Sequence, residues 1–198
     1  MKNKNKLKKI RFPKKKLRIK IQNKRDNLSI LNRKKRSKII AEKFFNTVYY
    51  NDSNNILIYY PFRSEIDVTI IISQALENKK NIILPRVHNH NLKLFYVDNL
   101  KKQLERSAQG IMEPIAGLCR LAKISDIDLV IVPGVVFDKN LNRLGYGEGF
   151  YDRLLPLIPA RVKKIALCFD IQVVDSIPVS EHDIKVDLLI TDISTYHH

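Results

Sequence analysis

The chain predicts an α/β domain: three α/β/α layers around a mainly parallel sheet. Short apolar runs such as 56–60, 129–132 and 164–169 alternate with helix-patterned segments, and several of the runs end at a proline. Strands apolar on both sides suit a parallel sheet buried on both faces. At 198 residues and 44% hydrophobic, the chain can bury one core and fits one domain, expected over 13–198. No internal repeat of about 20–50 residues interrupts that reading.

Residues 1–12 are dominated by like charges and predict a disordered basic tail. From Pro13 the pattern turns amphipathic: Leu17, Ile21 and Leu28 recur at helical spacing among Lys and Arg. Ser29 is placed to cap a second helix through Phe45, with Ile39, Ile40 and Phe44 on its apolar side. After a polar break at 51–55, a strand is expected over Ile56–Tyr60 and a helix over 66–78. Further strands are expected over Asn81–Leu84, Leu92–Val97 and Leu129–Val132, ending at or before Pro85 and Pro133 in the first and last cases. Gly149–Ile158 suits a helix, and Lys164–Phe169 and Leu188–Thr191 close the pattern as strands.

The net charge of +16 belongs to one end of the chain. Residues 1–38 hold 18 Lys and Arg against one acid, Asp26, while the remaining 160 residues set 18 bases against 19 acids. No run of about 18 apolar residues suggests a membrane span. The basic start lacks the apolar stretch of a secretory signal, so a cytoplasmic location and no membrane partner are expected. Cys119 and Cys168 have no zinc-like spacing and read as small buried hydrophobes.

Of six glycines, Gly145, Gly147 and Gly149 fall within five residues, after the strand 129–132 and just before a predicted helix. Glycine permits positive φ and close backbone approach, so successive N–H groups can converge on an anion. A helix N-terminus would add partial positive charge, and Arg143 could neutralise a phosphate. A ligand-free strand–helix turn fits the same residues equally well, and the spacing is neither a dinucleotide-binding nor a Walker A pattern.

The stretch DLVIVPGVVFDKNLNRLGYGEGFYDRLL at 128–155 resembles the signature of the 5-formyltetrahydrofolate cyclo-ligase (5,10-methenyltetrahydrofolate synthetase) family. KKKLR at 14–18, SEID at 64–67, LPRV at 84–87, GIMEP at 110–114 and PVSEHDIKVDLLITD at 178–192 follow in family order, so the resemblance covers about 13–192. It implies a Rossmann-like fold of the sugar-phosphate isomerase/CoA-transferase-like kind. It also implies ATP- and Mg²⁺-dependent conversion of 5-formyltetrahydrofolate to 5,10-methenyltetrahydrofolate, releasing ADP and phosphate, by a monomer. ATP contacts would fall on Lys14, Lys15, Lys16, Leu17 and Arg18, and on Arg143, Leu144, Gly145, Tyr146, Gly147, Glu148, Gly149, Phe150 and Tyr151. Arg143 and Tyr151 would be catalytic, and Asp152 and Asp183 would hold the metal. Tyr60, Glu65 and the run Tyr146, Gly147, Glu148, Gly149 and Phe150 would meet the folate. Leu141 and Glu148 stand where the family usually has glycine.

Taken as residues alone, Lys14–Lys16 also suit a solvated helix face, Asp152 a surface pair, Glu65 an exposed helix start, and Tyr60 a core position. His182, beside Asp183, reads as structural, and His88 and His90 as exposed loop residues. A nucleic-acid-binding protein using the basic N-terminal arm is the competing reading, and predicts steeply salt-dependent binding. A third reading is an α/β enzyme acting on sugar phosphates.

Overall fold

The computed structural model describes residues 2–180 and 183–197, with side chains from residue 13 onward among these. Three helices lead: α1 (Lys2–Asp26), α2 (Ile30–Phe45) and α3 (Val48–Asp52). They are followed by β1 (Asn55–Leu57), α4 (Thr69–Glu77), the hairpin β2 (Asn81–His88) and β3 (Asn91–Val97), then β4 (Leu104–Arg106) and β5 (Met112–Pro114). The second half holds β6 (Leu129–Val132), β7 (Val136–Asp138), β8 (Arg143–Leu144), α5 (Phe150–Leu154), β9 (Lys163–Leu167), β10 (Val173–Val174), β11 (Leu188–Ile190) and β12 (Thr195–His197).

Seven strands form the main sheet in the order β12-β11-β9-β6-β1-β2-β3. Its inner neighbours run parallel, and only the two edges, β11–β12 and β2–β3, pair antiparallel. Alternate residues of each inner strand enter opposite cores. Ile56, Ile82, Ile131 and Ile165 join α2 and α4 on one face; Leu57, Ile83, Val130 and Ala166 join Leu154, Leu155 and Ile158 on the other. This explains why those strands read as unbroken apolar runs. A three-stranded sheet, β10-β7-β8, forms a separate cluster in which Ile21 and Leu17 of α1 meet Val135, Val136, Leu144 and Ile177.

The expected cap holds: the Asn32 N–H donates to Ser29 Oγ at 3.2 Å, and α2 ends at Phe45. Other boundaries differ for physical reasons. The first helix begins at Lys2, so it takes in residues read as a disordered tail and carries Pro13 in its interior. Residues 2–12 contain no glycine and many good helix formers, and one proline removes a single N–H. β2 runs past Pro85 to His88 because β1 has already ended opposite Ile83, so the missing N–H faces an edge. The helix expected over Gly149–Ile158 is only α5 followed by a 3₁₀ turn at Leu155–Leu157, where Pro156 supplies no donor. Finally, β1 stops at Leu57, two residues after its start and three short of the expected end. Tyr59 and Tyr60 thereby leave the sheet.

Several signature residues prove to be supports. A Cβ on Gly134 would lie 2.4 Å from the Phe137 ring, so only glycine lets that fully buried ring close over the turn. Asp138, also fully buried, accepts N–H groups from Asn140, Asn142 and Ile177 and so pins the loop. Leu141 sits at φ 64. That conformation costs an L-residue roughly 1–2 kcal/mol. Complete burial of the side chain in the second core offsets it, being worth about 1.5–3 kcal/mol.

Candidate active site

The chain leaves β1 for β2 on one side of the sheet and takes up β6, β9 and β11 on the other. The crevice outside the carboxyl ends of β1 and β6 is therefore a topological switch point, the usual ligand position in open α/β sheets. A cavity of about 440 Å³ lies there. Its walls come from the segment after β1 (Tyr59, Tyr60, Phe62, Glu65), from β2 and β5, from α1, and from the unbroken run Arg143–Asp152. Asp183 completes it.

One end of the cavity is ionic. Lys14 Nζ lies 2.5 Å from Asp183 Oδ2, and the Arg143 guanidinium pairs with Asp152. Arg143 is buried; its Nη1 reaches the Pro133 carbonyl at 3.3 Å, while its buried Nε has no partner among the described residues. The Tyr151 hydroxyl is buried and unpartnered in the same sense, and burial holds its pKa well above the ordinary tyrosine value. Unspent buried donors are costly in a closed core and fit a site that receives acceptors from outside. Burial tends to raise Asp183, but the Lys14 ammonium and the Ser180 N–H together hold it below the usual carboxylate range.

Between β8 and α5 the glycine loop opens onto this end. Gly147 (φ 117) and Gly149 (φ 71) adopt conformations that L side chains rarely take. The Arg18 guanidinium packs 3.6–3.8 Å from where a Gly147 Cβ would stand, and its Nε donates to the Gly145 carbonyl at 2.6 Å. With α5 only five residues long, the helix dipole is slight, and the cations supply most of the positive potential. Glu148 is exposed where the loop lines the cavity.

The other end is apolar and aromatic, formed by Tyr59, Tyr60, Phe62, Leu92, Ile111 and Met112, with two carboxylates, Glu65 and Glu113. Glu65 accepts the Phe62 N–H at 2.9 Å and the Tyr146 hydroxyl at 2.6 Å. Burial raises its pKa; the Tyr146 bond, the Arg25 charge and the Phe62 N–H oppose that shift without cancelling it.

Nearly every residue singled out from the sequence lines this one cavity, including Lys14, Arg18, Tyr60, Glu65, Asp152 and Asp183. Lys15 and Lys16 do not: they are exposed on α1, outside the lining. Leu17 turns instead to the cluster of Val135 and Leu144, beside Ile21 one turn further along α1. Sequence reasoning missed Tyr59, Glu113 and Arg25. GIMEP had marked the neighbourhood of Glu113, but nothing local distinguished Arg25 within a run of basic residues. His88 and His90 are exposed, Cys119 and Cys168 are buried, and His182 lies outside the described residues.

A carboxylate pair and donors of this kind fit a hard divalent cation that keeps waters and phosphate oxygens. Among the described residues no three His, Cys, Asp or Glu side chains cluster as a metal cage, and no helix is long and apolar enough to cross a membrane.

The model of the 5-formyltetrahydrofolate cyclo-ligase family matches residues 11–192. A 5-formyltetrahydrofolate cyclo-ligase of Haemophilus influenzae is 28% identical over 185 residues, covering 88% of this chain and 95% of its own. That of Mus musculus is 30% identical, covering 81% and 84% respectively. The solved 5,10-methenyltetrahydrofolate synthetase of Aquifex aeolicus superposes with a TM-score of 0.82 at 33% identity, over 93% of this chain and 92% of that one.

Proposed function

The chain belongs to the 5-formyltetrahydrofolate cyclo-ligase family, and from that premise we propose that it converts 5-formyltetrahydrofolate to 5,10-methenyltetrahydrofolate at the cost of ATP. The observation that carries this reading is the lining of one cavity, which joins cations and a glycine loop to a set of aromatic side chains.

The chemical problem is loss of oxygen from an amide. The formyl oxygen is a poor leaving group, and its carbon is a weak electrophile. Transfer of the γ-phosphoryl group onto that oxygen forms an iminium phosphate. N10 of the same folate attacks the activated carbon, a five-membered ring closes, and phosphate departs as the C–O bond breaks, carrying away the N10 proton. Closure is intramolecular, so the protein supplies orientation and charge stabilisation rather than a covalent nucleophile.

Each end of the cavity has a part in this. Lys14, Arg18 and Arg143 bind the polyphosphate, with the loop amides around Gly147 close to it. Asp152 and Asp183 would hold Mg²⁺, which would supply neutralisation of phosphate charge. In the structure these two carboxylates already pair with Arg143 and Lys14. Phosphate oxygens taken up by Arg143 and Lys14 would leave Asp152 and Asp183 free to ligate the metal. Tyr151 offers its free hydroxyl to the transferring group. Glu65 accepts N–H donors of the pterin edge, and Tyr60 and Phe150 pack against its rings.

The test follows the near-ultraviolet absorbance of the methenyl product with 5-formyltetrahydrofolate, ATP and Mg²⁺, with ADP release measured in parallel. Product is expected only with all three present, with one ADP per methenyl group. Equal rates without nucleotide would remove the reading.

A further inference from the structure

Four residues of α1 share one face at spacings of four, three and four: Lys14, Arg18, Ile21 and Arg25. Arg18 and Arg25 lie two turns apart, about 10.5 Å along the axis, and grip the glycine loop at successive residues. Arg18 holds the Gly145 carbonyl and Arg25 holds the Tyr146 hydroxyl.

Arg25 is an odd residue to bury. Only 2% of it is exposed, and no carboxylate forms an ion pair with it among the described residues. Its Nε donates to Ser64 Oγ at 3.0 Å, its Nη2 donates to the Tyr146 hydroxyl at 2.8 Å, and its Nη1 finds no partner. Ser64 in turn donates to Asp26. An apolar side chain of the same volume would close this space without stranding a donor, so packing alone does not account for an arginine. What the guanidinium does is fix a proton. The Tyr146 oxygen, accepting from Nη2, turns its own hydrogen outward, and that hydrogen goes to Glu65 Oε1 at 2.6 Å.

We propose that Arg25 is a positioning residue for folate recognition, acting through the Tyr146 hydroxyl to orient the Glu65 carboxylate that meets the pterin edge. This rests on the placement of the folate at Glu65 given above. Arg25 itself lies behind the wall of the cavity and touches no substrate. Its charge also favours the ionised form of Glu65, which burial otherwise disfavours. The groups facing Glu65 are Arg25 from α1, Tyr146 from the glycine loop, Tyr59 from the segment after β1 and Tyr151 from α5. Burial holds all three tyrosines well above their ordinary values, so Glu65 is the member of this set that titrates in the acid range.

The experiment measures KM for 5-formyltetrahydrofolate and for ATP, and the pH profile of kcat/KM, in Arg25→Met, Arg25→Lys, Tyr146→Phe and Glu65→Gln. Arg25→Met and Tyr146→Phe are each expected to raise the folate KM about tenfold, the size of one lost charge-assisted hydrogen bond, with the ATP KM moved less than threefold. Arg25→Met should also carry the acid limb of the folate kcat/KM toward neutral pH by about one unit, and Arg25→Lys should recover part of that shift. If Arg25→Met does not fold, Tyr146→Phe and Arg25→Lys decide the matter. An unchanged folate KM and acid limb in the folded Arg25 variants or in Tyr146→Phe, beside a raised KM in Glu65→Gln, overturns the proposal alone. An unchanged folate KM in Glu65→Gln overturns the placement of the folate.

Discussion

One carbon added at Gly134 tests how the signature turn supports Arg143. The Cβ of Gly134→Ala would stand 2.4, 2.9 and 3.0 Å from three atoms of the Phe137 ring, where carbon contacts prefer roughly 3.5–4.0 Å. That ring is fully buried in the second core, so it must displace its neighbours by about 1 Å to escape. Overpacking of this kind costs about 1–3 kcal/mol. For a domain of this length a loss of about 2 kcal/mol lowers Tm by roughly 4–8 °C. Phe137→Leu removes up to three buried carbons and costs about 2 kcal/mol by itself. Independent effects would sum to about 4 kcal/mol in the double variant, whereas direct contact should leave it at least about 1 kcal/mol more stable than that sum. Urea denaturation of the four proteins measures the cycle, with Gly117→Ala as control because nothing lies within 4 Å of its Cβ. Turnover of Gly134→Ala should fall as well, since the neighbouring Pro133 carbonyl holds Arg143. Additivity within about 0.5 kcal/mol would show that the ring does not exclude the methyl group.

Gly147→Ala places an L side chain at φ 117, a backbone cost of about 1–3 kcal/mol, with its Cβ against the Arg18 guanidinium. The KM for ATP is expected to rise about tenfold by initial-rate kinetics, and an unchanged value would remove the loop from nucleotide binding. Glu65 gives a pH signature in stability. Its folded pKa is raised above 4.5, so the folded state holds its proton while the unfolded chain releases it, and stability falls as pH rises through that window. Glu65→Gln carries no such penalty. The Tm of the variant relative to the parent should therefore climb between pH 4 and 7, and a pH-independent difference would refute the burial of that charge.

How much of this was legible in the chain depended on the range of the interaction. The Ser29 cap and the apolar runs at 129–132 and 164–167 are local facts, set by one hydrogen bond and by two-faced burial, and they could be read in order. The family motifs pointed to the glycine loop, Lys14, Arg18, Glu65, Asp152 and Asp183, and one cavity is lined by all of them. Leu141 was legible as a departure, but not as a buried leucine at positive φ, because the core that receives it comes from distant segments.

Strand ends were less legible. β2 continues through Pro85 and β1 stops at Leu57 because of which neighbour each strand has at that height, and pairing partners lie tens of residues away. Arg25 was invisible for the same reason. Within a run of basic residues it looks like its neighbours, and only packing of α1 against the loop at Tyr146 and the turn at Ser64 sets it apart. Residue types and their local spacing determined the chemistry this chain can offer. The tertiary structure decided which charges meet, since a charge is defined by its partners and its exposure to water, and neither is a property of a segment alone.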